Sequence, residues 1–248
     1  MRLTQTANLI WDTVLSLTYP QRCSLCGLSV ESRAFGTACE TCWDQTRIFS
    51  DEEVTCWKCG CPANGTLPSI YAAQVKCRRC ENQAFTAARA CGVYEGALRE
   101  SVLRLKRQPH VPRRLEILLA KTGRCVPLER STRIIPVPLH PERERTRGFN
   151  QAAILGAVIS KSLNLPVNEV SLIRTEYSER YRAGLDAKGR AQTVAHAFEV
   201  RYPRLIAGEN ILLVDDVFTT GATASSCAEA LIDAGAQNVF VLTIARPI

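Results

Sequence analysis

Residues 211–226 read ILLVDDVFTTGATASS. A near-continuous apolar run (211–217), of the kind buried on both faces of a parallel sheet, ends in two adjacent acids, Asp215 and Asp216. Like charges at that spacing repel, and a fold by itself gains nothing from them. A turn of small residues follows at once, Thr219-Thr220-Gly221-Ala222-Thr223, and leads into a helix over 224–235. Cys227, Ala228, Leu231 and Ile232 share one side of that helix, and Gly235 ends it. The turn's amides and hydroxyls, together with the helix dipole, form a nest for a phosphate. Gly221 lets the backbone approach the oxygens closely. Two acids just ahead of the nest suit sugar hydroxyls or a magnesium shell. The stretch therefore predicts a ligand with a phosphate at one end and a polyol in its middle, and a sugar phosphate fits.

Working outward, RIIPVPL (133–139) and VFVLTIA (239–245) read as strands. FNQAAILGAVISKSL (149–163) carries helical spacing at Ala153, Ile154, Ala157, Val158 and Leu163. Strand–helix–strand alternation predicts an α/β fold, a parallel sheet flanked by helices. Ligands of such sheets sit at the carboxyl ends of the strands, where Asp215 and Asp216 fall.

The chain has 248 residues, 46% of them apolar, enough for one large domain plus an appendage. No run of 18 apolar residues exists, which excludes a membrane-spanning helix. Residues 1–20 lack a compact apolar core and a cleavage site, so a docking helix with Leu9, Ile10, Val14, Leu15 and Leu17 on one face is expected instead of a signal peptide. A cytoplasmic location follows, where disulfides do not persist. The net charge of +7 is unevenly spread. Residues 20–82 hold seven Lys/Arg and seven Asp/Glu, whereas residues 99–147 hold thirteen and five. That basic middle segment points to an anion, either a phosphorylated small molecule or nucleic acid.

Eight of the twelve cysteines form four pairs: Cys23/Cys26, Cys39/Cys42, Cys56/Cys59 and Cys77/Cys80. Two Cys-x-x-Cys turns complete a closed tetrahedral site of four thiolates, so Zn²⁺ is expected, in one or two sites, with iron–sulfur or redox-active thiols as the alternatives. A closed site is structural, supplying folding energy to loops that cannot build a core. Sequential pairing is the simpler arrangement and an interleaved one stays open. Cys61 could substitute as a ligand, while Cys91, Cys125 and Cys227 read as buried small hydrophobes. Trp43, Trp57 and Tyr71 could stack on bases, but the neutral local charge favours packing or protein contact. Residues 21–82 are thus set apart as a zinc-binding region from a catalytic-type domain over 83–248.

ILLVDDVFTTGAT (211–223) is similar along its whole length to the phosphoribosyl pyrophosphate (PRPP) motif of type I phosphoribosyltransferases. The remaining blocks resemble, in order, the ComF family of that superfamily, whose members are described as amidophosphoribosyltransferase-like or DNA-utilisation proteins. They are the cysteine knuckles, VYEGALRESVLRLK (93–106), PVPLHPERERTRGFNQ (136–151) and the RT pair at 174–175. The resemblance implies that Asp215 and Asp216 hold the ribose 2′ and 3′ hydroxyls. It implies that Thr219, Thr220, Gly221, Ala222 and Thr223 hold the 5′-phosphate. Val137, Pro138, Leu139 and His140 match the pyrophosphate loop, which in the superfamily often carries an unusual cis peptide. Pyrophosphate leaving ribose C1 builds negative charge on the leaving group, calling for Mg²⁺ and guanidinium groups. Arg143 and Arg147 are the matched candidates, with Lys106 beside them, each charge-assisted contact contributing roughly 1.5–3 kcal/mol. Asp215, Asp216 and Arg147 are the expected catalytic set; His140 reads equally as a ligand contact or as a loop histidine without a chemical part.

One stretch departs from the family pattern. Residues 174–198 align with the lid over PRPP, but Ser178, Tyr181, Arg182 and Thr193 stand where relatives carry Thr, Gln and Asn, while Arg180, Lys188 and Arg190 keep it basic. A changed lid bears on acceptor and rate. Family membership implies a part in competence or DNA uptake, as a PRPP-dependent transferase acting on an unidentified acceptor under a hood near residues 85–125. The alternatives are a non-catalytic PRPP sensor that binds single-stranded DNA through Arg104, Lys106 and Arg107, or a scaffold docking a competence helicase or DNA-uptake protein.

Overall fold

The computed structural model describes residues 20–50, 53, 55–62, 75–175 and 197–248. The expected N-terminal helix, Tyr71 and lid residues 176–196 lie outside them. In chain order the elements are α1 (Glu40–Asp44), β1 (Ala87–Val93), α2 (Gly96–Leu105), α3 (Arg113–Gly123), β2 (Arg133–Pro136), α4 (Pro141–Arg147) and α5 (Gln151–Leu163). Then follow β3 (Leu172–Arg174), β4 (Phe198–Val200), β5 (Asn210–Val217), α6 (Ala222–Asp233) and β6 (Asn238–Arg246). Four strands form one sheet in the order β1-β6-β5-β2, and each neighbouring pair is parallel. β3 and β4 form a separate antiparallel pair. No described helix is long and apolar enough to cross a membrane.

The apolar run over 211–217 is central because it has something to bury on both sides. Leu212 and Val214 join a core with Leu98, Leu105, Leu119, Leu155 and Ile159 from α2, α3 and α5. Ile211 and Leu213 join a second core with Ala224, Cys227, Ala228 and Leu231 of α6. Strand alternation thus sorts adjacent residues into two layers, giving the parallel α/β sheet flanked by helices. α6 stops as the sequence requires: Gly235 takes a φ of 93° and donates to the Ile232 carbonyl, while Ala236 donates to that of Leu231.

Two elements differ from the sequence expectation. The strand over 133–139 ends at Pro136, because Pro136 and Pro138 have no amide to continue the ladder; Val137 makes the last bond, donating to the Val214 carbonyl at 2.9 Å. Residues 87–93, inside the stretch read as a hood, are instead the edge strand of the main sheet, in register with β6 from Ala87/Phe240 to Val93/Arg246. That edge is covered by the cysteine region. Phe49 donates to the Cys91 carbonyl, Val93 to that of Arg47 and Ala88 to that of Lys58. An open edge strand is a template for unwanted pairing, and this one is closed by the chain's own N-terminal third.

Candidate functional site

β5 delivers the acidic pair to the carboxyl end of the sheet, with Asp215 level with Thr243 of β6. The Asp216 amide donates to Asp215 Oδ1 at 2.8 Å. Lys106, at the C-cap of α2, places Nζ 3.1 Å from Asp216 Oδ2. Removal from water, and then the Asp216 charge, push the Asp215 carboxyl up from 3.8 to about 7, against the pull of Lys106. The cation in contact with the pair therefore comes from the basic middle segment, where sequence reading gave Lys106 a smaller part than Arg143 and Arg147.

Beyond the acids the chain turns sharply. Phe218 is buried and donates to the Ala245 carbonyl, Thr219 and Thr220 are exposed, and Gly221 takes a φ of 82°. A Cβ on Gly221 would lie 2.8 Å from Phe218 Cζ, so no larger residue fits without displacing the ring. The Thr220 hydroxyl accepts from the Ala222 amide at 3.3 Å. Among the described residues, no backbone carbonyl takes up the amides of Thr219, Thr220 and Gly221. Three amides that no described residue claims, at the start of a twelve-residue helix, are chemically able to receive an anion. Ala222 and Thr223 form its first turn, half-buried.

The loop of Val137, Pro138, Leu139 and His140 leaves β2 directly beside this turn, since Pro136 is in register with Val214. Asn150 pins it, donating to the Val137 carbonyl at 3.0 Å and capping α5 through the Ala152 amide. Among the described residues the cis peptide bond is Val126–Pro127, so this loop does not carry the cis bond often found in the superfamily. His140 caps α4, its Nδ1 accepting from the Glu142 amide at 3.3 Å, which gives it a structural part. Arg143 and Arg147 stand one helical turn apart on α4. Arg147 Nη1 donates to Gln151 Oε1 at 2.6 Å, and Gln151 Nε2 is buried with no hydrogen-bond partner. Acids, turn and loop are thus brought together at neighbouring strand ends, and the arginines sit on the helix that follows the loop.

The eight paired cysteines form two clusters, Cys23/Cys26/Cys39/Cys42 and Cys56/Cys59/Cys77/Cys80, with ligand atoms within 4.8 Å of one another. Pairing is sequential, and Cys61 stands outside both. Sulfur separations are 3.7 Å for Cys23–Cys42, 3.6 Å for Cys26–Cys39 and 3.5 Å for both Cys56–Cys80 and Cys59–Cys77. A tetrahedron of thiolates about 2.3 Å from zinc has edges of about 3.8 Å, so both donor sets fit the ion closely. Burial works against a thiolate at Cys23, but amide donors, including those of Leu25 and Cys39, outweigh it and hold the thiol at about 6. The same balance holds Cys56 at about 7. Gly27 and Gly60 take φ values of 77° and 63° behind their knuckles. The clusters lie on opposite faces of the sheet, the first packed with α2 and α3 residues and the second with α6 residues.

The leftover groups fall where packing puts them. Cys91 and Cys227 are buried, whereas Cys125 is partly exposed and differs from its reading as a core residue. Trp43 is buried, donates to the Phe35 carbonyl and lies under the Arg114 guanidinium at 5.1 Å; Trp57 lies under that of Arg89 at 5.5 Å. Both indoles are taken up by protein contacts.

No family model matches the chain. Over 238 residues it is 29% identical to the DNA utilization protein YhgH of Escherichia coli O157:H7, covering 93% of this chain and 99% of the relative. Competence protein F of Haemophilus influenzae is 36% identical over 116 residues, covering 46% of this chain and 49% of that protein. Among solved structures, the glutamine PRPP amidotransferase of B. subtilis complexed with ADP and GMP is 17% identical, covering 60% of this chain and 26% of that one at a TM-score of 0.36.

Proposed function

We propose that this protein, similar to DNA utilization protein YhgH and to Competence protein F, binds PRPP with Mg²⁺ and transfers its phosphoribosyl group to an acceptor. The observation that carries the reading is the acidic pair set one turn ahead of three amides at a helix start that no described residue claims. A phosphate nest alone would serve many ligands, and an acidic pair alone would serve many cations. Held in this order on one strand end, they match a ribose whose 5′-phosphate lies on the turn and whose 2′ and 3′ hydroxyls donate to Asp215 and Asp216.

In this reading the chain's residues share the work by position. Thr219, Thr220 and Gly221 donate amides to the 5′-phosphate, with the Thr219, Thr220 and Thr223 hydroxyls within the same turn. Val137 to His140 line the neighbouring loop, where the diphosphate would lie, and Arg143 and Arg147 supply guanidinium charge to the departing group. The carboxylates of Asp215 and Asp216 favour the positive charge that grows on the ribose ring as the bond to pyrophosphate lengthens. Mg²⁺ when bound would offset diphosphate charge and orient it. Lys106 occupies Asp216 Oδ2, which leaves Oδ1 to accept from a ribose hydroxyl.

Titration calorimetry of Mg²⁺-PRPP on the zinc-loaded protein tests the reading, with Asp215→Asn/Asp216→Asn as the comparison. Saturable binding that the double substitution abolishes is expected. Absence of binding by the folded wild type would sink it. Binding without pyrophosphate release across a panel of acceptors would instead identify a PRPP sensor.

A further inference from the structure

The second cysteine cluster reaches the phosphate turn by two routes. The first runs through Arg246, the last residue of β6. Its guanidinium Nη1 donates to the Cys59 carbonyl, inside the knuckle, and its Cζ lies 5.2 Å from the centre of the Phe218 ring. Phe218 meets Phe85 edge-on at 5.6 Å and presents Cζ 2.8 Å from where a Gly221 Cβ would be. Arg246 is 7% exposed, so this cation is held in the interior between a zinc knuckle and the residue that shapes the turn. The second route starts at Cys80. Gln83 donates its amide to the Cys80 carbonyl, and the next residue, Ala84, donates to Ser225 Oγ in the first turn of α6. Gln83 Oε1 lies 3.2 Å from the Gly221 Cβ position and is buried with no hydrogen-bond partner among the described residues.

A buried amide oxygen without a donor and a buried guanidinium on a knuckle carbonyl are both costly unless they serve something. Neither side chain is a ligand in that cluster, where four cysteine sulfurs complete the donor set. What the two share is the turn at 218–221, which they flank from the knuckle side. A turn whose amides must converge on one phosphate depends on that support, because Phe218 is its buried anchor, Thr219 and Thr220 are exposed and Gly221 has no side chain.

We propose that Arg246 and Gln83 are positioning residues through which metal in the Cys56/Cys59/Cys77/Cys80 cluster sets the shape of the phosphate-binding turn, so that zinc at this cluster and PRPP at the turn bind cooperatively. The inference rests on the PRPP reading above. The first cluster reaches the site differently. Thr46, which donates to the Cys42 carbonyl, accepts from the Ala97 amide at the start of α2, and α2 ends in the Lys106–Asp216 pair. That route finishes in a single ion pair whose lysine is 37% exposed, a contact of small energetic weight. The first cluster is therefore an internal control within the same molecule.

Coupling between sites is reciprocal: whatever factor zinc adds to PRPP affinity, PRPP adds to zinc affinity. The test is equilibrium competition for zinc between the full chain and a zinc-selective chelator, with and without saturating Mg²⁺-PRPP. One of two ions is expected to become roughly fivefold or more harder to remove, the lower end of usual couplings, while the other stays within twofold. Arg246→Met and Gln83→Leu are each expected to shrink that factor toward one while two zinc ions still bind. The wild-type measurement stands even if a variant does not fold. Saturable PRPP binding with unchanged affinity for both ions would overturn the coupling and leave the PRPP reading intact. Failure of PRPP to bind the doubly loaded protein would overturn both.

Discussion

Asp215→Asn should stabilise the ligand-free protein at alkaline pH while destroying its site. In the folded protein the Asp215 carboxyl titrates at about 7 rather than 3.8, raised by removal from water and then by Asp216. Folded chains therefore hold more protons than unfolded ones between those two values. The contribution is fully present below the unfolded pKa near 3.8 and is lost as pH rises through about 7. Each pKa unit corresponds to about 1.4 kcal/mol, so the full penalty at pH 8 has a ceiling of roughly 4 kcal/mol, of which roughly 2–3 develops between pH 5 and pH 8. Asp215 keeps some exposure to water, which trims the part that develops to roughly 1–2 kcal/mol. For a chain of this size that corresponds to about 3–6 °C in melting temperature. The assay is a pair of thermal melts of wild type and Asp215→Asn, zinc-loaded, at pH 5 and pH 8. Taking the difference between variants removes the pH response of the cysteine clusters. The advantage of the asparagine variant should grow by about that amount toward pH 8. An advantage independent of pH, or a variant less stable than wild type at pH 8, would refute the claim that the acidic pair is kept for its ligand at a cost to the fold.

Gly221→Ala should lose PRPP affinity and destabilise the protein by roughly 1–2 kcal/mol in urea, because a Cβ is strained at that backbone conformation and meets the Phe218 ring; retained affinity in calorimetry would contradict the nest. Metal analysis should find two zinc ions per chain, unchanged in Cys61→Ser and reduced to one in Cys59→Ser, since Cys61 stands outside both clusters.

The sequence disclosed most where a local pattern decides the outcome. Each Cys-x-x-Cys pair needs only its own turn, so the eight candidate ligands follow from spacing, while their sequential grouping, one of two arrangements open in the sequence, is fixed by the fold. β5 was legible because four consecutive buried residues, Ile211 to Val214, have no alternative to a two-sided core. The turn after it was legible because small residues beside paired acids have few uses. β1 was missed for the opposite reason. Its residues, AARACGV, are short or charged, and what makes them a strand is the pairing with β6 on one side and with residues 47–49 and 58 on the other. Those partners lie far away in the chain, and no window of sequence contains them. Propensity lost to tertiary pairing there.

The same distinction explains which site residues stayed hidden. Lys106 ranks behind Arg143 and Arg147 when the sequence is read alone, and only the end of α2 brings it to Asp216. Arg246 left a fainter trace: a guanidinium closing the strand NVFVLTIAR, otherwise buried from its second residue onward. A charge at the end of such a strand is expensive unless something receives it. In an α/β sheet the carboxyl end is where ligands gather, so the natural inference would be that Arg246 reaches for substrate. It turns the other way, onto the Cys59 carbonyl. The cysteine region and the proposed sugar-phosphate site look like separate inventions in the sequence, one neutral and cysteine-rich, the other apolar and acidic. The fold makes them neighbours by placing the knuckle on the edge strand next to β6, so that Arg246 reaches from the Cys59 carbonyl to the ring of Phe218, the residue just ahead of the turn.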